Sequence, residues 1–197
     1  MKKIIIIVAI FYVSLSCKSQ IIPVEGVKQY LSYNNLSFVP EGAYVKDVNG
    51  LQDDFIGEWK AIHNDRIYTF YITEEITSHF NIQFDQLFMK YLITELDGTV
   101  VADTQEEQVN SVFGNKFTDD LEFYIFSFGG EKRECGSRGD IDIKHVASST
   151  PGIAQIQIFV LYGGGVVAVN EALCGDFVLG ESPLYPLSIT PLILTKQ

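Results

Sequence analysis

His79-Phe80-Asn81-Ile82-Gln83-Phe84 sets Phe80, Ile82 and Phe84 against His79, Asn81 and Gln83. Successive side chains on a pleated strand point to opposite faces, so this alternation reads as a half-buried β-strand. The same period returns over Arg138–Ala147, where Ile141, Ile143, His145 and Ala147 oppose Arg138, Asp140, Asp142 and Lys144. Its polar row carries charges of both signs, as suits a solvated strand face. Phe123 and Ile125 alternate with Glu122 and Tyr124, and Ile156, Ile158 and Val160 with Gln155 and Gln157. Further strands are expected at 55–62, 66–74, 87–96 and 190–196. Asp97-Gly98 is a hairpin signal leading into Thr99–Ala102. No segment sustains a helical period, and a short helix is expected only over Glu106–Val112. Such a strand series predicts an all-β domain, either an antiparallel β-barrel or a β-sandwich.

The chain has 197 residues, 47% hydrophobic and 20% charged, which suits one domain with a buried core. It carries 14 Lys+Arg against 25 Asp+Glu, a formal net charge of -11. Phosphates are bound by clustered Lys and Arg, so this balance argues against a nucleic-acid partner. It argues equally against electrostatic docking on an anionic membrane.

The first residues divide from the rest. Met1-Lys2-Lys3 is a short basic start, and Ile4–Val13 is an unbroken apolar run. That run is too short to span a bilayer as a helix, and it reads as the core of an export signal over 1–16. Ser14-Leu15-Ser16 brings small residues up to Cys17. This ending resembles the lipobox of bacterial lipoproteins, although Leu15 and Ser14 depart from the usual residues. The resemblance implies that the Cys17 thiol receives a diacylglycerol, that the mature chain starts there, and that the protein is lipid-anchored in the cell envelope, at the outer membrane. Residues 17–46, with Pro23, Gly26, Asn34-Asn35, Pro40 and Gly42, read as a tether and N-terminal arm that orders near Tyr44. The domain proper is then 47–197.

Phe55-Ile56-Gly57-Glu58-Trp59 resembles the Gly-x-Trp first strand of lipocalin-like barrels. There the Trp plugs one end of the barrel beneath a short turn, and Asp47–Leu51 matches that turn. Thr190–Lys196 is similar to the closing strand, with Lys196 where lipocalins place an Arg against the Trp. The resemblance implies a single antiparallel β-barrel, lipocalin-like, with the β-sandwich as the alternative, and a barrel plug made of Phe55, Gly57, Trp59 and Lys196. The whole arrangement is also similar to an uncharacterised family of small lipoproteins of Bacteroidota-type envelopes, which implies a fold and an address but no activity.

Reactive residues give little. Cys135 and Cys174 are an even pair in an exported chain and read as a disulfide; their spacing does not suit zinc. His63, His79 and His145 are scattered, and His145, on an apolar face, reads as a hydrogen-bonded core residue. The pairs Asp53-Asp54, Glu74-Glu75, Glu106-Glu107 and Asp119-Asp120 read as solvated charge, since neighbours on a strand face opposite ways. No calcium loop, nucleophile elbow or phosphate loop occurs, so neither a catalytic residue, a metal site nor a cofactor is expected. Arg138-Gly139-Asp140 spells a tripeptide that integrins read, at a frequency chance explains. Gly163-Gly164-Gly165 reads as a turn.

Two functional classes remain. One is a non-catalytic binding module holding a small apolar ligand in the barrel, unless Phe55, Trp59, Phe80 and Phe84 fill it. The other is an envelope protein that works through its outer face, for which the apolar residues on both faces of Ile67–Ile72 offer a second buried surface. An empty interior favours the first, and a filled interior with an exposed aromatic patch the second.

Overall fold

The computed structural model describes residues 20–30, 39–106, 112–129, 138–148, 150–162, 187 and 190–197. Among these described residues, eleven strands form one sheet: β1 (Ile21–Pro23), β2 (Tyr44–Lys46), β3 (Gly57–His63), β4 (Arg66–His79), β5 (Ile82–Glu95), β6 (Val100–Asp103), β7 (Val112–Phe117), β8 (Tyr124–Gly129), β9 (Arg138–Val146), β10 (Gln155–Tyr162) and β11 (Leu192–Lys196). Eight of them close a ring in the order β3-β4-β5-β7-β8-β9-β10-β11 and back to β3, every pair antiparallel. The fold is therefore a lipocalin-like up-and-down barrel, and closure removes the sandwich alternative.

Alternate residues fill the interior in cross-strand rows. Trp59 faces Phe70, which faces Tyr91. A second row runs Gly57, Ile72, Met89, Val112, Phe128 and Gly139. A third runs Phe117, Tyr124, Ile143, Ile158 and Leu192. Trp59, Phe70, Phe126, Ile141, Ile143 and Ile156 are completely shielded from solvent. Side chains, not a ligand cavity, occupy this part of the barrel.

Several expectations need correction. His79–Phe84 is not one strand: β4 ends at His79, β5 begins at Ile82, and Phe80-Asn81 is the turn between them. Phe80 and Asn81 have φ of 51° and 61°, the left-handed pair of a two-residue primed hairpin turn. A two-residue turn does not interrupt period two, and Phe is a poor turn signal, so the alternation ran through the bend. Phe80 is 89% exposed and fills nothing. The strands expected at 66–74 and 87–96 accordingly lengthen into a 14-residue hairpin on each side.

The faces of β8 are also reversed. Tyr124, Phe126 and Phe128 point inward and are buried, while Phe123 lies outside under the Lys144 ammonium, 4.7 Å from its ring centroid. Phe55 sits not on β3 but on a single-turn 3-10 helix, Asp53–Phe55. Order also begins well before Tyr44. β1 pairs in parallel with β2, and a 3-10 helix, Val24–Tyr30, follows. Ile22, Val24 and Val27 are buried there, which offsets the irregular polar spacing that made the arm look unstructured. Val112 already belongs to β7, and residues 107–111 of the expected short helix lie outside the described residues.

Candidate binding cleft at the barrel seam

Among the described residues the ring closes through two paired positions at β3–β11, Thr195–Lys60 and Lys196–Trp59, and through two more at β5–β7. β5 pairs with β7 only through Phe88–Phe113 and Met89–Val112. Past Phe113 a bulge at Gly114–Lys116 bends β7 away, and lower down β5 takes β2 as its parallel partner at Gln83 and Phe84. Between these pairings the two strands part. Gly114 is a tight point in the gap: a Cβ there would strike the Tyr124 hydroxyl and lie 2.8 Å from the Leu87 carbonyl oxygen. Gln86 Nε2 bridges the gap, donating to the Gly114 carbonyl at 2.5 Å.

A cleft of about 740 Å³ occupies the parted seam. Val24, Val27 and Val45 roof it from the N-terminal arm; Phe84, Phe88, Phe113 and Phe117 wall it. Gln52, Asp85 and Tyr124 stand at its inner end, while His79, Lys116 and Asp140 give it further polar groups. The size and the mix of apolar wall and numerous polar groups suit a small amphipathic molecule.

The inner end is held by a chain of hydrogen bonds. Tyr44 donates its hydroxyl proton to Asp85 at 2.5 Å, and the Asp47 amide donates to the other Asp85 oxygen at 2.9 Å. The Asp47 carboxylate in turn accepts from the Leu51 and Gln52 amides at 3.0 and 2.6 Å. This fixes the loop that delivers Gln52. Its Nε2 donates to the Asp85 carbonyl at 3.5 Å and the Tyr124 hydroxyl at 3.4 Å. Gln52 is 2% exposed, and its Oε1 has no partner. A buried acceptor left unpaired costs about 1–3 kcal/mol, so a donor brought to it would be favoured.

The surroundings are electronegative. The hydrogen bond to Asp85 pushes the Tyr44 phenol up to about 12, with burial adding to it. Burial raises the Glu74 carboxyl, and the charges of Asp85, Asp47 and Asp53 raise it further against a small opposing effect of Lys46. Burial also raises the Tyr124 phenol, although a backbone hydrogen bond with Leu87 opposes it.

The expected plug residues gather at one barrel end, next to the cleft. Trp59 Nε1 donates to the Phe55 carbonyl at 2.7 Å. Lys196 pairs with Trp59 across β11 and β3, and its Nζ lies 5.2 Å from the indole centroid. Gly57 has φ of 138°, and a Cβ there would come 2.9 Å from Lys196 Cε. The glycine both takes up a conformation closed to other residues and leaves the lysine its path over the ring. Phe55 seals this end among Phe117 and Tyr124, at 6.5 and 6.3 Å.

His145 departs from its expected role. It stacks on Phe55 at 4.2 Å and remains exposed, at the barrel mouth and not in the core. Burial against that ring lowers its pKa, Lys196 adds to the effect, and Asp54 opposes it. The histidines do not converge, since His63 and His79 end up at opposite ends of the β3–β4 region. Arg138-Gly139-Asp140 lies within β9, with Gly139 and Asp140 paired to both β8 and β10 and Arg138 paired to Gly129 of β8, and with Asp140 accepting from the Ser127 hydroxyl at 3.0 Å. No cluster of three metal-ligating side chains occurs among the described residues, and no helix there is long and apolar enough to cross a membrane. Cys17, Cys135 and Cys174 lie outside the described residues, as does Gly163-Gly164-Gly165.

Sequence reasoning passed over the cleft itself. Gln52, Asp85 and Phe113 carry no motif. The one available signal was Gly114, since a glycine inside an apolar strand marks a bulge or a close backbone approach.

Fold and site together define, among the described residues, a small closed barrel with buried side chains packed along its interior and a side cleft. The chain belongs to a family of unknown function, DUF6705, whose profile matches residues 1–143. The match thus takes in the N-terminal segment, both cleft-forming strands and most of β9. No curated protein and no solved structure matches the chain.

Proposed function

We propose that the protein is an exported lipoprotein, anchored through Cys17 to the envelope membrane, that binds one small amphipathic molecule without chemical change. The anchor reading rests on the basic start, the apolar run and the Ser16-Cys17 ending. The observation that carries the binding reading is the cleft of about 740 Å³ with phenylalanine walls and the unpaired Gln52 Oε1 at its inner end. The ligand sits in the seam, because the barrel axis is occupied by Trp59, Phe70 and their neighbours. Its body is apolar, and its polar end donates a hydrogen bond, which the electronegative inner end prefers.

Titration with the neutral probe N-phenyl-1-naphthylamine tests this. One saturable site is expected, abolished by Phe113→Asp and weakened by Gln52→Leu. Absence of saturable binding, or binding indifferent to Phe113→Asp, contradicts the reading. A second reading, contact with another envelope protein, is favoured by a different place. Ile62 and Val100, 70% and 58% exposed, share an outward row with Ile67 and Thr94.

A further inference from the structure

The β4–β5 hairpin ends in an aromatic residue that the fold leaves bare. Phe80 is 89% exposed at the first position of its turn, with φ of 51°. Asparagine and glycine suit that left-handed conformation, and a bulky ring does not, so local backbone preference does not account for a phenylalanine there. The turn is nonetheless held firmly. The Gly42 amide donates to the Asn81 carbonyl at 3.0 Å, and Asn81 Nδ2 donates to Glu41 at 2.9 Å.

The start of the described chain emerges beside this tip. Ile21, Tyr44, Gln83 and Ser78 form one rung across β1, β2, β5 and β4, two residues short of Phe80. β1 runs parallel to β5, which leads away from the turn, so the chain before Ile21 points back toward the tip. The Tyr44 amide holds Gln20 there, donating to its carbonyl at 2.8 Å. Cys17 is three residues earlier, and three residues reach at most about 11 Å even fully extended. An acyl group on Cys17 would therefore leave the protein at the hairpin tip. Ile21, at the same level, is 57% exposed.

We infer that the Phe80 tip, with Ile21, is a membrane-contact surface that enters the lipid interface beside the Cys17 acyl chains and fixes the barrel's orientation on the bilayer. The inference rests on the anchor reading given above. Its partner is a lipid surface of low charge: the formal net charge of -11, with Glu41 held against Asn81 at the tip, disfavours anionic headgroups, so the contact is apolar. An aromatic side chain at the headgroup level adds to acyl anchoring without new charge.

The test uses the full-length protein extracted from membranes, with Trp59→Phe and Phe80→Trp combined so that the only indole is at the tip. It is reconstituted in phosphatidylcholine vesicles with brominated acyl chains, and intact mass is read on the same sample. With acyl chains present, the tip indole should shift to the blue and lose most of its emission to bromine. Trp59 of the native chain should keep its emission. Phe80→Asp in the otherwise native chain should retain its far-ultraviolet circular dichroism and pass between vesicles faster than the native protein. An acylated chain whose tip indole stays red-shifted and unquenched overturns the membrane contact and leaves the anchor standing. A mass without acyl chains overturns the anchor reading and this inference together.

Discussion

The two edges of β5 are built differently. On one side it pairs with β4 along 14 residues of each strand, rung after rung, from His79–Ile82 to Arg66–Glu95. On the other side it takes three partners in turn: β2 at Gln83 and Phe84, β7 at Phe88 and Met89, β6 from Leu92 to Thr94. The continuous edge leads into the wall where Trp59, Phe70 and Tyr91 interlock. The divided edge opens the cleft. One strand thus supplies both the rigid scaffold and the place where the scaffold parts, and stability and binding are expected to separate along it.

The largest effect should come from the continuous side. Trp59→Ala removes a completely buried ring, its hydrogen bond to Phe55 and the platform under Lys196. A loss of about 3–5 kcal/mol is expected in urea unfolding. Native Trp59 emission should be blue-shifted and poorly quenched by iodide. A near-neutral substitution would show that the packed wall does not dominate stability.

At the seam the expected loss is smaller and of another kind. Gly114→Val forces a side chain into the Tyr124 hydroxyl and the Leu87 carbonyl. Overpacking of this sort costs about 1–3 kcal/mol. Probe binding should fall alongside, because Tyr124 and Gly114 both line the cleft. A stable variant with unchanged binding would mean that the seam repacks freely.

The sequence made these two sides unequally legible. The all-β strand series and the Asp97-Gly98 turn followed from period two and short turn signals, and the barrel class and the pairing of Trp59 with the final strand from the resemblance of Phe55–Trp59 and Thr190–Lys196 to lipocalin-like barrels. Such features are local: each is written within a few residues. The seam is not. It depends on β5 meeting β2, β7 and β6 in succession, contacts that join residues 83–94 to 44–45 and 100–113. Gln52 carries no local signal, because its burial comes with contacts to Asp47, Asp85 and Tyr124, which only the fold assembles. Phe80 misled for a simpler reason. Its hydrophobicity matched the alternation, while its backbone did not belong to a strand.

Lys196→Gln should sharpen the contrast at the barrel end. It removes a cation lying over the Trp59 ring, an interaction of about 0.5–1 kcal/mol near the surface. Unfolding should report a loss of that order, with probe binding at the seam unchanged. A loss as large as that of Trp59→Ala would assign the lysine a structural weight beyond its contact.

The smallest effect concerns pH. Burial against Phe55 holds the His145 pKa below its ordinary 6.5, so the fold favours the neutral ring. The stability this supports is complete above 6.5 and is lost as pH falls from there through the lower folded value. Nuclear magnetic resonance titration should place His145 below 6.5, and His145→Gln should flatten the stability profile over that window. A folded value above 6.5 reverses the sign and rules out burial as the governing cause.

The central claim is that the protein binds in the seam and not in the barrel axis. Amide chemical-shift mapping during titration with N-phenyl-1-naphthylamine tests it most directly. Saturable shifts should cluster at Val27, Gln52, Gln86, Phe113 and Tyr124 and leave Phe70, Ile93, Ile141 and Ile156 in place. Shifts centred on those interior residues, with the seam undisturbed, would contradict it.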